Sequence, residues 1–245
     1  MTDFAIGIAG HTIGVRAFFE TTRIFCEEYL CERIPDFSVE MTEEDILAER
    51  KNMAKLDQQD RVPIRDFSDA YLETIALHRK VAEGLFAYDT MMFHGSVVAV
   101  DGAGYLFAAK SGTGKSTHTR LWRQMLGKRA VMINDDKPML RMEDDQVLAY
   151  GTPWNGKHRL STNTCVPLRA ICLLERSEEN SICPISVKEA LVALLQQSNR
   201  PADPAKMPKY LELLDRLAQG VRFYRLRCNM DPEAAQVAYQ IMSEE

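Results

Sequence analysis

The period of the apolar positions changes several times along the chain, and each change predicts an element. Before residue 40, the short runs Phe4-Ala-Ile-Gly-Ile8, Ile13-Gly-Val15 and Phe37-Ser-Val39 are separated by polar breaks and the Pro35-Asp36 turn. They predict short strands, with a helix around Thr22 to Cys31. Thr42-Glu-Glu-Asp45 then offers an N-cap and an acidic first turn ahead of Ile46, Leu47, Arg50 and Met53, which predicts a helix to Leu56. The charged stretch Asp57 to Arg65, broken by Pro63, reads as a surface connection. From Ser68 to Phe86, Tyr71, Leu72, Ile75, Ala82, Leu85 and Phe86 recur at helical spacing and define one core-facing stripe.

Beyond residue 90 the runs become those of strands. Met91-Met-Phe93 together with Ser96-Val-Val-Ala-Val100 reads as a strand, Asp101-Gly-Ala-Gly104 as a tight turn, and Tyr105 to Ala109 as the hairpin partner. Thr117 to Leu126 predicts a helix and Arg129 to Ile133 a short buried strand, giving a strand-helix-strand unit expected to return the chain beside the Tyr105–Ala109 strand. Met139 to Met142 and Gln146 to Tyr150 form a second hairpin around Glu143-Asp-Asp145, and Val166 to Leu174 another strand. Ser186-Val-Lys-Glu189 is a capping box opening a helix. Pro201, Pro204 and Pro208 punctuate a loop expected to be mobile. A helix to Gln219 ends at Gly220, Val221 to Arg227 is a last strand, and Asp231-Pro232 starts a final helix presenting Ala234, Val237, Ala238 and Ile241 on one face.

Chemistry concentrates where the first hairpin ends. Ala109-Lys-Ser111-Gly112-Thr113-Gly114-Lys115-Ser116-Thr117 has the form of a phosphate-binding loop, with Ala109 standing where the usual pattern has glycine. Gly112 and Gly114 let backbone amides turn inward without a Cβ in the way, and Lys115, expected to be exposed, can reach outer phosphates. The Ser116 hydroxyl can hold Mg²⁺, and the following helix aims its N-terminus at the same anion. Asn134-Asp135-Asp136 lies at a strand exit, where carboxylates meet a metal or an attacking group. Within the donor-rich stretch Gly151 to Arg159, Arg159 is assigned to clamping a phosphate or carboxylate of an acceptor, His158 reads as a surface residue, and Trp154 as a packing anchor.

Composition narrows the partners. Of 245 residues, 46% are hydrophobic and 27% charged with a net charge of −5, so no broad basic field points to nucleic acid or an anionic membrane. No apolar run approaches the roughly 20 residues needed to span a bilayer, and the first residues lack a basic secretory region, which predicts a cytoplasmic location. The six cysteines, without metal-ligand spacing, read as free thiols, mostly in the core.

His94-Gly95, the hairpin, the Ser-Gly-x-Gly-Lys-Ser loop, a helix and the Asp-Asp pair together resemble the catalytic core of the HPr kinase/phosphorylase family, in the superfamily that also holds phosphoenolpyruvate carboxykinases. The resemblance covers about residues 90 to 160. It implies an α/β fold with a mixed sheet and the phosphate loop on a hairpin strand, with residues 1–88 as an α+β extension packed on the core and 89–245 as the kinase-like domain. It also implies ATP and Mg²⁺ as cofactors. Residue by residue it gives Lys115 to the phosphates, Ser116 to Mg²⁺, Asp136 to the general base, and a catalytic role to His94; Asp135, at the strand exit, is assigned to the metal with Ser116. The family's metal-binding Glu followed by Arg-Gly-Leu-Gly is absent, and Gly151 to Arg159 stands in its place. The expected activity is phosphoryl transfer from ATP to a hydroxyl, on a peptide serine or a small molecule, and homo-oligomer formation is left open. The alternatives are a nucleotide sensor without turnover and a carboxykinase-type enzyme.

Overall fold

The computed structural model describes residues 1–59, 61–201 and 203–244, which form two compact units, Met1–Gly84 and Leu85–Glu245. In the first, β1 (Thr2–Ile8) and β2 (His11–Ala17) form an antiparallel hairpin. Its turn residues Ala9 and Gly10 both have positive φ, the conformation that matches the twist of a two-residue hairpin. Then come α1 (Glu20–Phe25), β3 (Phe37–Glu40), which pairs parallel with β2, α2 (Glu43–Gln59) and α3 (Asp69–Leu85). The fully buried Glu73 of α3 accepts hydrogen bonds from the Phe18 and Phe19 amides and the Thr22 hydroxyl, and so satisfies donors at the start of α1.

Two sequence expectations change, one in this unit and one along the whole chain. The Asp57–Arg65 stretch, of which Asp60 lies outside the described residues, is not a plain surface connection. Asp57 is buried inside the last turn of α2 and accepts from Arg65 N (2.8 Å), Nε (3.0 Å) and Nη2 (2.6 Å). These Arg65 hydrogen bonds hold the Asp57 carboxyl below the usual carboxylate range. Second, only Cys26 and Cys172 of the six free cysteines are buried, whereas Cys165 and Cys183 are exposed on their strands.

The second unit is a mixed α/β layer structure. Its elements are β4 (Thr90–Met92), β5 (Ser96–Val100), β6 (Ala103–Ala108), α4 (Lys115–Leu126), β7 (Ala130–Asn134), β8 (Met139–Met142), β9 (Val147–Tyr150), β10 (Cys165–Arg176), β11 (Ser181–Pro184), α5 (Val187–Gln197), α6 (Met207–Gly220), β12 (Arg222–Cys228) and α7 (Pro232–Ser243). The strands make one curled sheet, in the order β4-β8-β9-β10-β6-β5-β7, with β12 also on β10 and β11 on β12. The long β10 is its trunk. Its first residues pair antiparallel with β9, and the remainder runs parallel to β6 on one edge and β12 on the other.

Strand alternation divides the core between the two faces. Val97, Leu106 and Ile171 face Ala190, Leu194, Tyr210, Leu213 and Leu217 of α5 and α6. Their neighbours Val98, Phe107 and Cys172 face Leu121 and Trp122 of α4 and Ala235, Ala238 and Met242 of α7.

Two topological expectations are corrected here. The Met91–Val100 stretch is two strands, because the chain leaves the sheet at Phe93–Gly95. There the amides bond to Pro138 O, Gln197 O and Asp136 O instead of a neighbouring strand. A Cβ on Gly95 would lie 2.7 Å from Leu106 Cδ2, so the break takes a glycine. Likewise, β7 does not return beside β6. It pairs with β5, since β6 already holds β5 and β10 on its two edges.

Helix α4 is anchored by an aromatic cluster. The fully buried Trp122 packs against Tyr105 and Phe107, each 5.1 Å between ring centroids, and its indole N–H donates to His118 Nε2 at 3.1 Å. Burial lowers the His118 pKa from 6.5 to about 4, and protonating Nε2 would set two N–H groups against each other. Because the folded state resists the proton that the unfolded chain accepts, this contribution to stability is complete above pH 6.5 and is lost as pH falls toward 4. The loss reaches about 3 kcal/mol. Urea unfolding at pH 7 and pH 5 should show a smaller acid-induced drop for His118→Gln, which keeps an acceptor for Trp122, than for the parent. Equal drops would remove His118 as the source.

Candidate active site

The sheet's connectivity decides which residues meet. Strand β5 is antiparallel to both β6 and β7, so its beginning lies at the same edge as their ends. Ser96 is paired with Phe107, and Val97 with Asn134. That single edge therefore carries His94-Gly95-Ser96, the glycine loop after β6, and Asn134-Asp135-Asp136 after β7. In α/β sheets such a carboxyl-end edge is where ligands bind.

The glycine loop spans Ala109 to Gly114, and α4 begins at Lys115, two residues earlier than expected. Gly112 and Gly114 have φ of +77° and +128°, with nothing within 4 Å of where a Cβ would stand, so the loop is open on that side. Thr113 N–H closes a turn onto Lys110 O at 3.2 Å. Ser111 and Gly112 are exposed, and Thr113, Gly114, Ser116 and Thr117 are half-buried. Lys115 is not exposed as anticipated. Its side chain folds under the loop at 8% exposure and donates from Nζ to Ala109 O at 3.1 Å. Burial pushes its ammonium below the ordinary lysine value, and the Asp136 and Asp135 carboxylates draw it partly back.

The two aspartates have different surroundings. Buried Asp135 accepts from Ser96 Oγ through Oδ1 at 2.7 Å, and Ser96 Oγ lies 3.0 Å from Thr119 Oγ1 of α4. Asp136 is half-buried, with Oδ1 3.3 Å from His94 Nε2. Burial alone would raise the Asp136 pKa. The His94 hydrogen bond and the Lys137, His94 and Lys115 charges outweigh it and hold the carboxyl below its ordinary value.

Asn134 sets both in place. Fully buried, its Oδ1 accepts from the Asp136 and Lys137 amides at 2.8 and 2.7 Å, a local turn that Asn favours. Its Nδ2 donates to Thr152 O and Oγ1, both at 3.0 Å. Thr152 and Gly151 begin the loop that follows β9. A Cβ on Gly151 would stand 2.1 Å from Thr162 O, and one on Gly156 (φ +75°) 3.2 Å from Asp136 Cβ. The loop thus lies against Asp136 and leaves Lys157, His158 and Arg159 exposed, while Trp154 is buried. Arg159 has a positive φ, and among the described residues it makes no hydrogen bond or ion pair to either aspartate.

Ser96, Thr119, Asn134 and Arg176 were not singled out from the sequence. A lone hydroxyl opening the buried run Ser96–Val100, and an Asn ahead of two aspartates, were usable signals for the first and third. Among the described residues no group of three or more His, Cys, Asp or Glu side chains is gathered to hold a metal, and no helix is long and apolar enough to cross a membrane.

The fold and site define a mixed α/β protein with a polar cluster at the carboxyl-end edge of a curled sheet. The family described as "SynChlorMet cassette protein ScmC" matches residues 64–231, and the chain belongs to that family. Among functionally curated proteins none matches. Among solved structures, the Hpr(Ser) kinase/phosphatase from Coxiella burnetii is similar at 12% identity and a TM-score of 0.33, over 62% of this chain and 99% of that one. That likeness is too faint to bear on chemistry, so the functional reading rests on the residues.

With all four hydrogen bonds of Asn134 made in a fully buried position, Asn134→Ala should destabilise the protein by about 2–4 kcal/mol, because it strands the Thr152, Asp136 and Lys137 groups. Urea unfolding measures this, and a loss under about 1 kcal/mol would show that the aspartates are held by other contacts.

Proposed function

We propose that this chain is an ATP-dependent phosphotransferase that moves the γ-phosphoryl group to a hydroxyl acceptor. The observation that carries the reading is the convergence, at one sheet edge, of a buried Lys115 under an open glycine loop with Asp135, Asp136 and His94. A cation buried beneath backbone amides, its ammonium hydrogen-bonded among the described residues only to a carbonyl, is suited to an anion of several charges.

The residues fit ATP and Mg²⁺. The Gly112 and Gly114 positions are open, and Ser116 opens α4 next to Lys115. Ser116 and the Asp135 carboxylate, whose Oδ1 already accepts from Ser96, are the side chains that would hold a Mg²⁺, which ordinarily takes one or two protein ligands together with phosphate oxygens and water. When bound, the metal supplies charge neutralisation across the phosphates.

The chain's own groups account for the rest. Lys115 binds and neutralises the phosphate oxygens. Asp136, ionised at neutral pH and oriented by His94, accepts the acceptor's hydroxyl proton. A carboxylate of low pKa is a weak base, which suits a loose transition state in which the proton leaves late. Arg159, exposed on the loop against Asp136, meets a phosphate or carboxylate of the acceptor. Residues 89–245 would form the kinase-like domain, in line with the second compact unit.

Lys115→Met keeps the buried stem and removes the charge. Mg-ATP affinity, measured by calorimetry, should fall by about tenfold to a hundredfold, as expected for one or two charge-assisted hydrogen bonds. An unchanged affinity, or a parent that neither binds ATP nor turns it over with any serine peptide or hydroxyl compound, refutes the reading.

With an acceptor in hand, Asp136→Asn should slow transfer by roughly a hundredfold to ten-thousandfold while Mg-ATP binding survives. In the parent the rate should stay level as pH falls to the ordinary carboxylate range, since the Asp136 pKa lies below it. If the substitution instead weakens nucleotide binding and Mg²⁺ dependence together, Asp136 is a metal ligand and the base lies elsewhere.

A further inference from the structure

Strand β10 runs parallel to β6 with Leu173 opposite Ala108, so its last residues continue past the end of β6 and lie alongside the glycine loop. There Arg176 donates from Nη2 to Gly112 O and from Nε to Thr113 O, the latter at 3.3 Å. Glu175, Glu178 and Glu179 are sequence neighbours, yet among the described residues no carboxylate is within ion-pair range of this guanidinium. Its charge and two of its donors go to loop backbone.

A peptide unit carries its C=O and N–H on opposite sides. The Gly112 carbonyl shares a plane with the Thr113 N–H, and the Thr113 carbonyl with the Gly114 N–H. Holding both carbonyls from outside fixes the direction of both N–H groups, the Thr113 N–H onto Lys110 O across the loop turn and the Gly114 N–H on the side away from the guanidinium, and a cation on each carbonyl polarises its plane toward stronger donation there. Without this anchor, Gly112 and Gly114, both at positive φ and with open space around them, have wide conformational freedom.

We propose that Arg176 is a positioning residue that presets the glycine loop for a phosphate chain by gripping its outer carbonyls, without touching the transferred group. The inference rests on the phosphotransferase reading for the identity of the ligand, but not for the grip itself.

The test compares the parent, Arg176→Met, Arg176→Lys and Lys115→Met in three measurements: amide hydrogen exchange over residues 111–115 without nucleotide, calorimetric Mg-ATP affinity, and turnover at saturating ATP. Arg176→Met should speed exchange in the loop by about tenfold and weaken ATP by about tenfold, with saturated turnover and thermal midpoint unchanged. Arg176→Lys, with a charge but no fork, should recover part of both. Unchanged exchange and affinity in Arg176→Met, while Lys115→Met loses ATP, overturns this inference alone. A fall in saturated turnover at constant affinity also overturns it, since Arg176 would then act on the transferring group. Faster loop exchange in Arg176→Met in a protein that never binds ATP would retain the grip and overturn its purpose, together with the phosphotransferase reading.

Discussion

The site depends on one constraint of the sheet: β5 lies antiparallel between β6 and β7. Had β7 returned beside β6, as a simple strand-helix-strand unit would, Ser96 and His94 would be separated from the aspartates by a strand. The hairpin places β5 on one edge of β6 and β10 occupies the other, so β7 has β5 as its available neighbour. The three segments that leave the sheet at this edge then have no choice but to meet. Gly95, too close to Leu106 to carry a side chain, lets His94 turn out of the sheet toward Asp136 while Ser96 stays in it and reaches Asp135.

From that geometry follows a division between two adjacent carboxylates. Residues 135 and 136 leave a strand end in succession, and the Asn134 turn rotates them to different neighbours. Asp135 is inside, with one oxygen committed to Ser96 and, through Thr119, tied to the helix that begins with Lys115. Asp136 is more open, beside His94 and under Gly156. Equal in sequence, the pair is unequal in environment, and environment sets role: the oriented inner carboxylate suits a fixed ligand, the outer one a group that meets an incoming hydroxyl.

Much of this was legible in the residues. The glycine loop between strand and helix, the Asp pair at a strand exit, the hairpins and the capping box at Ser186–Glu189 all depend on local chemistry, in which neighbours in sequence are neighbours in space. What escaped depends on pairing between distant segments. The β7 neighbour is decided by which sheet edges are already taken, and Arg176 meets the loop only through the β10–β6 register. Lys115 was misjudged for a related reason. A loop lysine defaults to solvent, and its burial here follows from the loop folding over it and two carboxylates approaching from another strand.

That buried lysine ties the fold to the chemistry. Burying an ammonium is unfavourable unless hydrogen bonds and opposite charge compensate it. Among the described residues its only direct hydrogen bond goes to one carbonyl, and the nearby carboxylates lessen the effect of burial on its pKa without cancelling it. A site that needed Lys115 only for stability would pair it more fully, or would carry an apolar side chain of the same length. Partial compensation is what a binding cation requires: enough negative charge to keep it protonated and in place, and enough unspent capacity to favour an anion arriving through the open side of the loop. The same balance holds Asp136 ionised close by without collapsing it onto the lysine, because His94 and Lys137 share its charge. The charges of this edge are therefore separated in space, Lys115 beneath the loop and the two aspartates beyond it, the arrangement that a phosphoryl group passing between two oxygens would meet in order.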